Sequence, residues 1–334
     1  MSQYISKESY KRMEAPLFNV SLHACKDFIK SLADNNINPT SLDIFKTSTI
    51  REEIDHLSYN IAEDIHADIS SALQDDSCGI AALDIPEGVS NDPTHDALVG
   101  AIVAQAIVNK FMSPAIDRKN HTPFTLYNAS KEGEKKLKKS GLRFYSPEEK
   151  LGFHTDGRID SPNVYIPERL SIYNLLIAYK KPGDFYWLPF ALWGEFESFA
   201  ESIGWNVPYK FELTPIVYSG RGGELERPTL SAVEAPIFFK EGPKKSMFYN
   251  GELADLDNGI DNRSISMSLR ESMQNNIFRY YVPQRARRVI IMNNSSGAHS
   301  RDIFNSPVAG TRYTRSFMRS ISLEGMCVGR TYHP

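Results

Sequence analysis

The stretch Gly152-Phe153-His154-Thr155-Asp156-Gly157 decides the reading of this chain, because a second segment far downstream completes it. Near the C-terminus, Val289-Ile290-Ile291-Met292-Asn293-Asn294 runs through Ser295-Ser296-Gly297-Ala298 into His299-Ser300-Arg301, and Arg315-Ser316-Phe317-Met318-Arg319 follows. A His-x-Asp pair alone is weak evidence. It arises by chance, and the dull reading is a surface His-Thr-Asp turn closed by Gly157, with His299 a turn histidine paired with Asp302. The ordered set is more specific: His-x-Asp, a long gap, a histidine after an apolar strand, then arginines. On a strand, His154 and Asp156 point to one side. Two histidines and one carboxylate can hold Fe(II) on one face and leave positions open.

Working outward, the composition is that of an ordinary soluble globular protein. The chain has 334 residues, 41% hydrophobic and 24% charged, enough for one elaborate domain or two small ones. A net charge of −3 predicts no attraction to nucleic acid or to an anionic membrane. No run of 18 or more apolar residues is present, so nothing should span a bilayer. The first residues, Met1 to Lys7, lack the apolar core of a signal peptide. Three widely spaced cysteines, Cys25, Cys78 and Cys327, point to reduced, structural thiols and a cytoplasmic protein. The sequence is silent on oligomeric state.

The first third reads as helical. Leu22, Cys25, Phe28, Ile29 and Leu32 recur at helical spacing. Thr49 and Glu52 make a candidate capping box ahead of Ile54, Leu57, Ile61, Ile65 and Ile69. Gly79–Leu83 reads as a short buried strand, and Asp92-Pro93 as a helix start. From Phe124 onward the pattern changes to strands: Leu170–Tyr179, Lys210–Tyr218, Pro236–Phe239, Phe278–Val282 and Arg288–Met292. Helices are expected at Leu192–Ile203 and Ser264–Met273. Many short strands between turn residues predict a sandwich or barrel. The fold expectation is therefore mainly β with flanking helices, in one domain over 1–334: a mostly helical part, 1–120, packed on a core of 121–334. His66 and Asp68 repeat the His-x-Asp pattern, but on a helix residues i and i+2 do not face each other. The Lys-rich run Ser130–Lys139 reads as a solvated loop. Gly220-Arg221-Gly222-Gly223 reads as a flexible turn without the strand and helix that frame a phosphate cradle.

At these residues the chain resembles the Fe(II)/2-oxoglutarate-dependent dioxygenases of the taurine dioxygenase and clavaminate synthase type. In that family the distal histidine follows an apolar strand, Asp-Asn and four residues, often with arginine two residues on. Asn293-Asn294, His299 and Arg301 match, with Asn293 where Asp is common. The resemblance is clear over roughly the C-terminal two-thirds and only general in layout before that. It implies a double-stranded β-helix, a jelly-roll variant, as the core. It implies Fe(II) held by His154, Asp156 and His299, with 2-oxoglutarate chelating the metal. Substrate is hydroxylated with O2, and succinate and CO2 are released. Asp156 argues against halogenation, for which such enzymes carry a small residue there.

The cosubstrate's far carboxylate needs a cation, and arginine's planar fork suits it. The family often places a second arginine four residues past the first. Arg315 with Arg319 fits this, while Arg312 has Ser316 at that place; Arg312 remains the alternative. Arg319 becomes the candidate anchor for an anionic group of the substrate, against pairing with an acid such as Glu324. Relatives of the clavaminate synthase type often act on free amino acids, so the expected substrate is a small carboxylate-bearing molecule of that class. One family feature is missing. Phe185 stands where a cosubstrate-contacting threonine is expected, so Tyr186 or Asn174 would have to supply that hydrogen bond. Two other functions share the three ligands: a non-enzymatic jelly-roll sensor of small molecules or metal, and a zinc-dependent hydrolase.

Overall fold

Cys25, Phe28 and Leu32 recur on one side of the helix Leu22–Asp34, and all three are buried. Ser21 caps this helix, its hydroxyl accepting from the Ala24 N–H at 3.4 Å. The computed structural model describes residues 13–133, 146–213, 231–250 and 262–332. The expected long helix through Ile54 and Ile69 is two helices, Ser48–Leu57 and Glu63–Gln74. Between them the Ser58 hydroxyl donates to the Asp55 carbonyl at 2.9 Å and Ile61 is buried, so the apolar spacing continues across a turn. The cap differs as well. Thr47 occupies the N-cap position and makes no side-chain cap hydrogen bond, and Thr49 lies inside the helix, so it does not start a capping box. Asp92 caps as expected, accepting from the His95 N–H at 2.7 Å. The helix it opens, Pro93–Phe111, is buried over most of its surface, as an apolar helix inside a layered fold must be.

These helices cover one face of a six-stranded sheet. Its order is Leu17–Asn19, Ile80–Asp84, Arg288–Met292, Leu170–Ile177, Arg315–Ile321 and Thr125–Ala129. The first pair is parallel and the rest are antiparallel. Alternation along each strand divides the side chains between two cores. Leu83, Tyr173, Val289, Ile291 and Met318 pack with the helices. Ile80, Leu170, Ile172, Ile290 and Met292 pack against Phe185, Trp187 and Val282 of a second sheet.

That second sheet has the order Met13–Glu14, Tyr280–Val282, Phe185–Pro189, Gly297–Arg301 and Leu151–His154. Its far face, with Phe153, Tyr186, Leu188 and Ala298, closes a third core. The other side of that core is a five-stranded sheet ordered Pro208–Leu213, Ser231–Pro236, Gly325–Tyr332, Asn163–Pro167 and Arg158–Asp160. Ala200 of helix Phe196–Ile203 and Leu269 and Met273 of helix Asn262–Asn275 join it. The mainly-β expectation with flanking helices therefore holds. The expected helix at Leu192–Ile203 is shorter, a 3-10 turn Phe190–Leu192 followed by Phe196–Ile203. The expected strand at Pro236–Phe239 falls across the end of one strand and the start of another, Phe238–Glu241. The end of the strand expected to reach Tyr218, the turn Gly220–Gly223 and most of the Lys-rich run lie outside the described residues. Among the described residues no helix is long and apolar enough to cross a membrane. All three cysteines are free.

Candidate metal centre

His154 ends the strand Leu151–His154, which pairs antiparallel with Gly297–Arg301 so that His154 stands directly opposite His299. A sheet register brings the two distant histidines together, with ring centroids 4.1 Å apart. Asp156 lies just past the strand end rather than on it. Thr155, between them, turns the other way. It is 2% exposed, its N–H donates to the Tyr249 carbonyl at 2.7 Å, and its hydroxyl accepts from the Tyr249 N–H at 2.9 Å. Beyond Asp156 the chain passes close to Phe248: a Cβ on Gly157 would come within 2.6 Å of that ring. One ligand atom from each of His154, Asp156 and His299 lies within 4.8 Å of the others, and this is the one such group of three or more potential ligands among the described residues.

The protonation states suit a metal. His154 Nδ1 is 2.8 Å from the Gly152 carbonyl, which can only accept, so Nδ1 carries the proton and Nε2 keeps its lone pair. Nε2 faces Asp156 Oδ1 at 3.8 Å. Burial lowers the pKa of His154 against the opposing pull of Asp156. Burial, followed by the neighbouring His154, pushes His299 down to about 3. Both imidazoles are thus neutral near pH 7, the form that binds metal. Burial alone would raise the Asp156 carboxyl, but the Arg319 guanidinium, ahead of the two imidazoles, holds it below the usual carboxylate range. His299 Nδ1 is buried with no hydrogen-bond partner among the described residues. Phe185, standing where threonine was expected, stacks on the His299 ring at 5.6 Å.

Arg315 and Arg319 lie on the strand Arg315–Ile321, four residues apart on one face. Arg319 Nη1 is 3.1 Å from Asp156 Oδ2, and Asp156 is therefore the acid it pairs with. Arg315 is 6% exposed. Its Nη2 donates to two neutral oxygens, Asn174 Oδ1 at 3.1 Å and Gln284 Oε1 at 2.9 Å. Its Nε and the Asn174 Nδ2 are both buried and without partners among the described residues. Burial, then the charge of Arg301, pulls its pKa well below the ordinary value. Arg312 is exposed and lies over the Tyr313 ring, so Arg315 is the buried one of the two alternatives. The Tyr186 hydroxyl is spent on Asp302 at 2.8 Å. Arg301, two residues past His299, gives its Nη donors to the carbonyls of Ser146, Pro147 and Asp302, which ties a loop to the strand. The sequence reading named Asn174 but missed Gln284. It also missed what Asn294 does: its side chain bonds both main-chain groups of Asp156.

The donor set fits Fe(II), for which two histidines and a carboxylate with open positions are characteristic. The orphaned donors of Arg315 and Asn174 fit a buried carboxylate, because buried N–H groups are otherwise paired.

No family model matches the sequence, and no curated protein matches it. Solved structures do. An asparagine oxygenase in complex with Fe(II), 2S,3S-3-hydroxyasparagine and succinate matches at a TM-score of 0.62 and 13% identity, covering 92% of this chain and 93% of that one. The non-heme iron oxygenase OrfP in complex with Fe, succinate and (3R,4R)-dihydroxy-L-Arg matches at 0.59 and 11%, covering 92% and 94%. OrfP with Fe and alpha-ketoglutaric acid matches at 0.56 and 11%, covering 95% and 94%. At such identities the likeness establishes the fold alone, which this chain shares with these two oxygenases.

Proposed function

We propose that this chain is an Fe(II)/2-oxoglutarate-dependent oxygenase that hydroxylates a small carboxylate-bearing substrate, a free amino acid or a derivative of one. The observation that carries the reading is the His154, Asp156 and His299 cluster, two neutral imidazoles and an ionised carboxylate converging from separate segments. The solved structures of like fold carry iron with alpha-ketoglutarate or succinate, which supports the same cosubstrate here. In this reading the facing sheets are the two halves of a double-stranded β-helix, and residues 1–334 form one domain. The core shared by the N-terminal helices and the six-stranded sheet supports that.

When bound, iron with 2-oxoglutarate supplies the oxidising chemistry, consuming O2 and releasing succinate and CO2. The chain's residues do the rest. His154 Nε2, Asp156 and His299 hold the metal. Arg315 Nε and Asn174 Nδ2 receive the distal carboxylate of 2-oxoglutarate, and Gln284 orients the guanidinium through its 2.9 Å hydrogen bond. Phe185 and the surrounding apolar side chains keep water from the site. Arg319 accounts for the carboxylate on the substrate. It lies on the same strand face as Arg315, four residues on. Substrates that are amino acids in the like-folded oxygenases support this class.

The test is anaerobic addition of Fe(II) and 2-oxoglutarate. A weak visible charge-transfer band is expected, and a small-molecule sensor or a zinc hydrolase gives none. A screen of free amino acids for stimulated succinate release then identifies the substrate. If no carboxylate-bearing compound stimulates release, the substrate class is wrong even where the band appears.

A further inference from the structure

Asp156 is held at every polar atom except one. Its N–H donates to Asn294 Oδ1 at 3.0 Å, and its carbonyl accepts from Asn294 Nδ2 at 2.9 Å. The same Nδ2 donates to the Pro167 carbonyl at 3.1 Å. These three bonds fix the amide's orientation, since a flipped amide would set its NH2 against the Asp156 N–H. Asn294 is fully buried and sits in the turn between strands Arg288–Met292 and Gly297–Arg301, just ahead of the strand that carries His299. The carboxylate is held from another direction. Oδ2 pairs with Arg319 Nη1 at 3.1 Å. Arg319 comes from the six-stranded sheet, on a strand flanked by Leu170–Ile177 and Thr125–Ala129, with its guanidinium over the Tyr127 ring at 5.4 Å. The remaining atom, Oδ1, faces His154 Nε2 at 3.8 Å, too far for a hydrogen bond between them.

We infer that Arg319 and Asn294 are positioning residues that make Asp156 a single-oxygen ligand, offering Oδ1 to the metal and withholding Oδ2. This rests on the metal reading above. The consequence is a coordination count. Two imidazoles and one oxygen take half the positions of a roughly six-coordinate ion. A keto acid binding through two atoms then leaves one position over. A carboxylate that swung to chelate with both oxygens would leave none. The charge-assisted bond from Arg319 to Oδ2 opposes that swing, and the clamped main chain keeps Asp156 from following the metal. Arg319 therefore serves the metal's geometry before any substrate arrives.

The experiment uses Mn(II) alone as probe. Coordinated solvent is counted from the broadening of the Mn(II) electron paramagnetic resonance lines in 17O-enriched water. Wild type is expected to hold about three solvent molecules, Arg319→Met about two, and Arg319→Lys about three, because lysine keeps a donor for Oδ2. An Asn294→Asp variant, which replaces the donor to two carbonyls with an acceptor, is expected to weaken Mn(II) binding by ~10–100-fold, the usual cost of losing an outer partner. A count of two in wild type overturns the inference without any variant, so it stays falsifiable if Arg319→Met does not fold. An unchanged count of three in folded Arg319→Met overturns it too. His154→Ala separates the two levels. If wild type does not bind Mn(II), or His154→Ala binds it equally well, the metal reading itself fails and takes the inference with it.

Discussion

Arg288 and Arg315 are both buried on the same six-stranded sheet, 5% and 6% exposed, yet their surroundings are opposites. Arg288 stands in register across from Asp84. Its Nε donates to Oδ1 at 2.8 Å, its Nη2 to Oδ2 at 2.7 Å, and its Nη1 to the Pro283 carbonyl at 2.7 Å. Arg285 adds a second cation to the same carboxylate. Arg288 thus finds its anion within the protein. Arg315 has two neutral amide oxygens, the rings of Phe304 and Phe317 at 5.0 and 4.3 Å, and no carboxylate partner among the described residues. Burying a cation without an anion is costly. A fold can bear that cost at a place where a ligand brings the anion. The closed cluster serves the architecture, and the open one is where we propose that the cosubstrate binds.

The largest expected effects come from cutting each region at its centre. His299→Ala is expected to abolish Fe(II)-dependent succinate formation and tight metal binding, while the metal-free protein melts within a few degrees of wild type. Retention of iron-dependent turnover would remove His299 from the metal site. Asp84→Asn does the reverse. It strips the anion from Arg288 and should destabilise the fold by about 3–5 kcal/mol, as removing one partner of a buried pair does. Turnover per folded molecule should stay unchanged. The sign with pH follows. Burial alone would raise the Asp84 carboxyl, but Arg288 and then Arg285 hold it below the ordinary value. Its contribution to stability is therefore complete above the unfolded carboxyl pKa, near 3.9, and is lost as pH falls below that. Chemical denaturation of wild type and Asp84→Asn should converge in acid. Parallel curves would show that the pair carries no pH-linked stability.

Arg315→Ala probes the open cluster. On the proposed role, the distal carboxylate of 2-oxoglutarate then loses a buried partner, with an expected cost of about 2–5 kcal/mol, or ~30-fold or more in the cosubstrate requirement. Arg315→Met sharpens the contrast with Asp84→Asn: replacing an uncompensated buried cation by an apolar chain should leave the metal-free melting temperature equal or higher. A large loss of stability in Arg315→Met would place this arginine with Arg288, as architecture. An unchanged requirement in Arg315→Ala beside a raised one in Arg312→Ala would move the role to Arg312.

The sequence makes the two kinds of region legible to different degrees. His154, Asp156 and His299 stand out because ligand spacing is local: one turn supplies two of them, and a short apolar strand announces the third. Arg315 stands out through its partner four residues on. The apolar runs at Arg288–Met292 and Leu170–Ile177 mark strands, and the structure buries them on both faces. What is hidden is the pairing of groups distant in the chain. Asn294 reads as one letter of a turn, and its clamp on Asp156 exists only once folding has closed a separation of 138 positions along the chain. Gln284 gives no local signal, since its 2.9 Å bond to Arg315 depends on two sheets meeting. The break at Ser58 was hidden for another reason. Ile54 and Ile61 face one core whether a helix or a turn joins them, so periodicity cannot see the interruption.

The smallest expected effect discriminates most finely between an open and a closed cluster, and it belongs to Asn174. This residue is fully buried, and its Oδ1 accepts from Arg315 at 3.1 Å while its Nδ2 has no partner among the described residues. If Nδ2 waits for the cosubstrate, as the missing threonine requires, Asn174→Ala removes one hydrogen bond to a charged group. That costs about 1.5–3 kcal/mol, or roughly 10- to 150-fold in 2-oxoglutarate affinity, measured by titration of the Fe(II)-loaded protein without oxygen. Asn174→Asp gives the opposite sign at the same position. Its carboxylate neutralises Arg315 internally and closes the cluster in the manner of Asp84 with Arg288. It should raise the metal-free melting temperature while weakening 2-oxoglutarate more than alanine does, because the protein then supplies the anion that the cosubstrate would bring. A variant that gains stability and keeps its affinity would show that the distal carboxylate binds elsewhere, and that the unpartnered amide is a tolerated defect of the core.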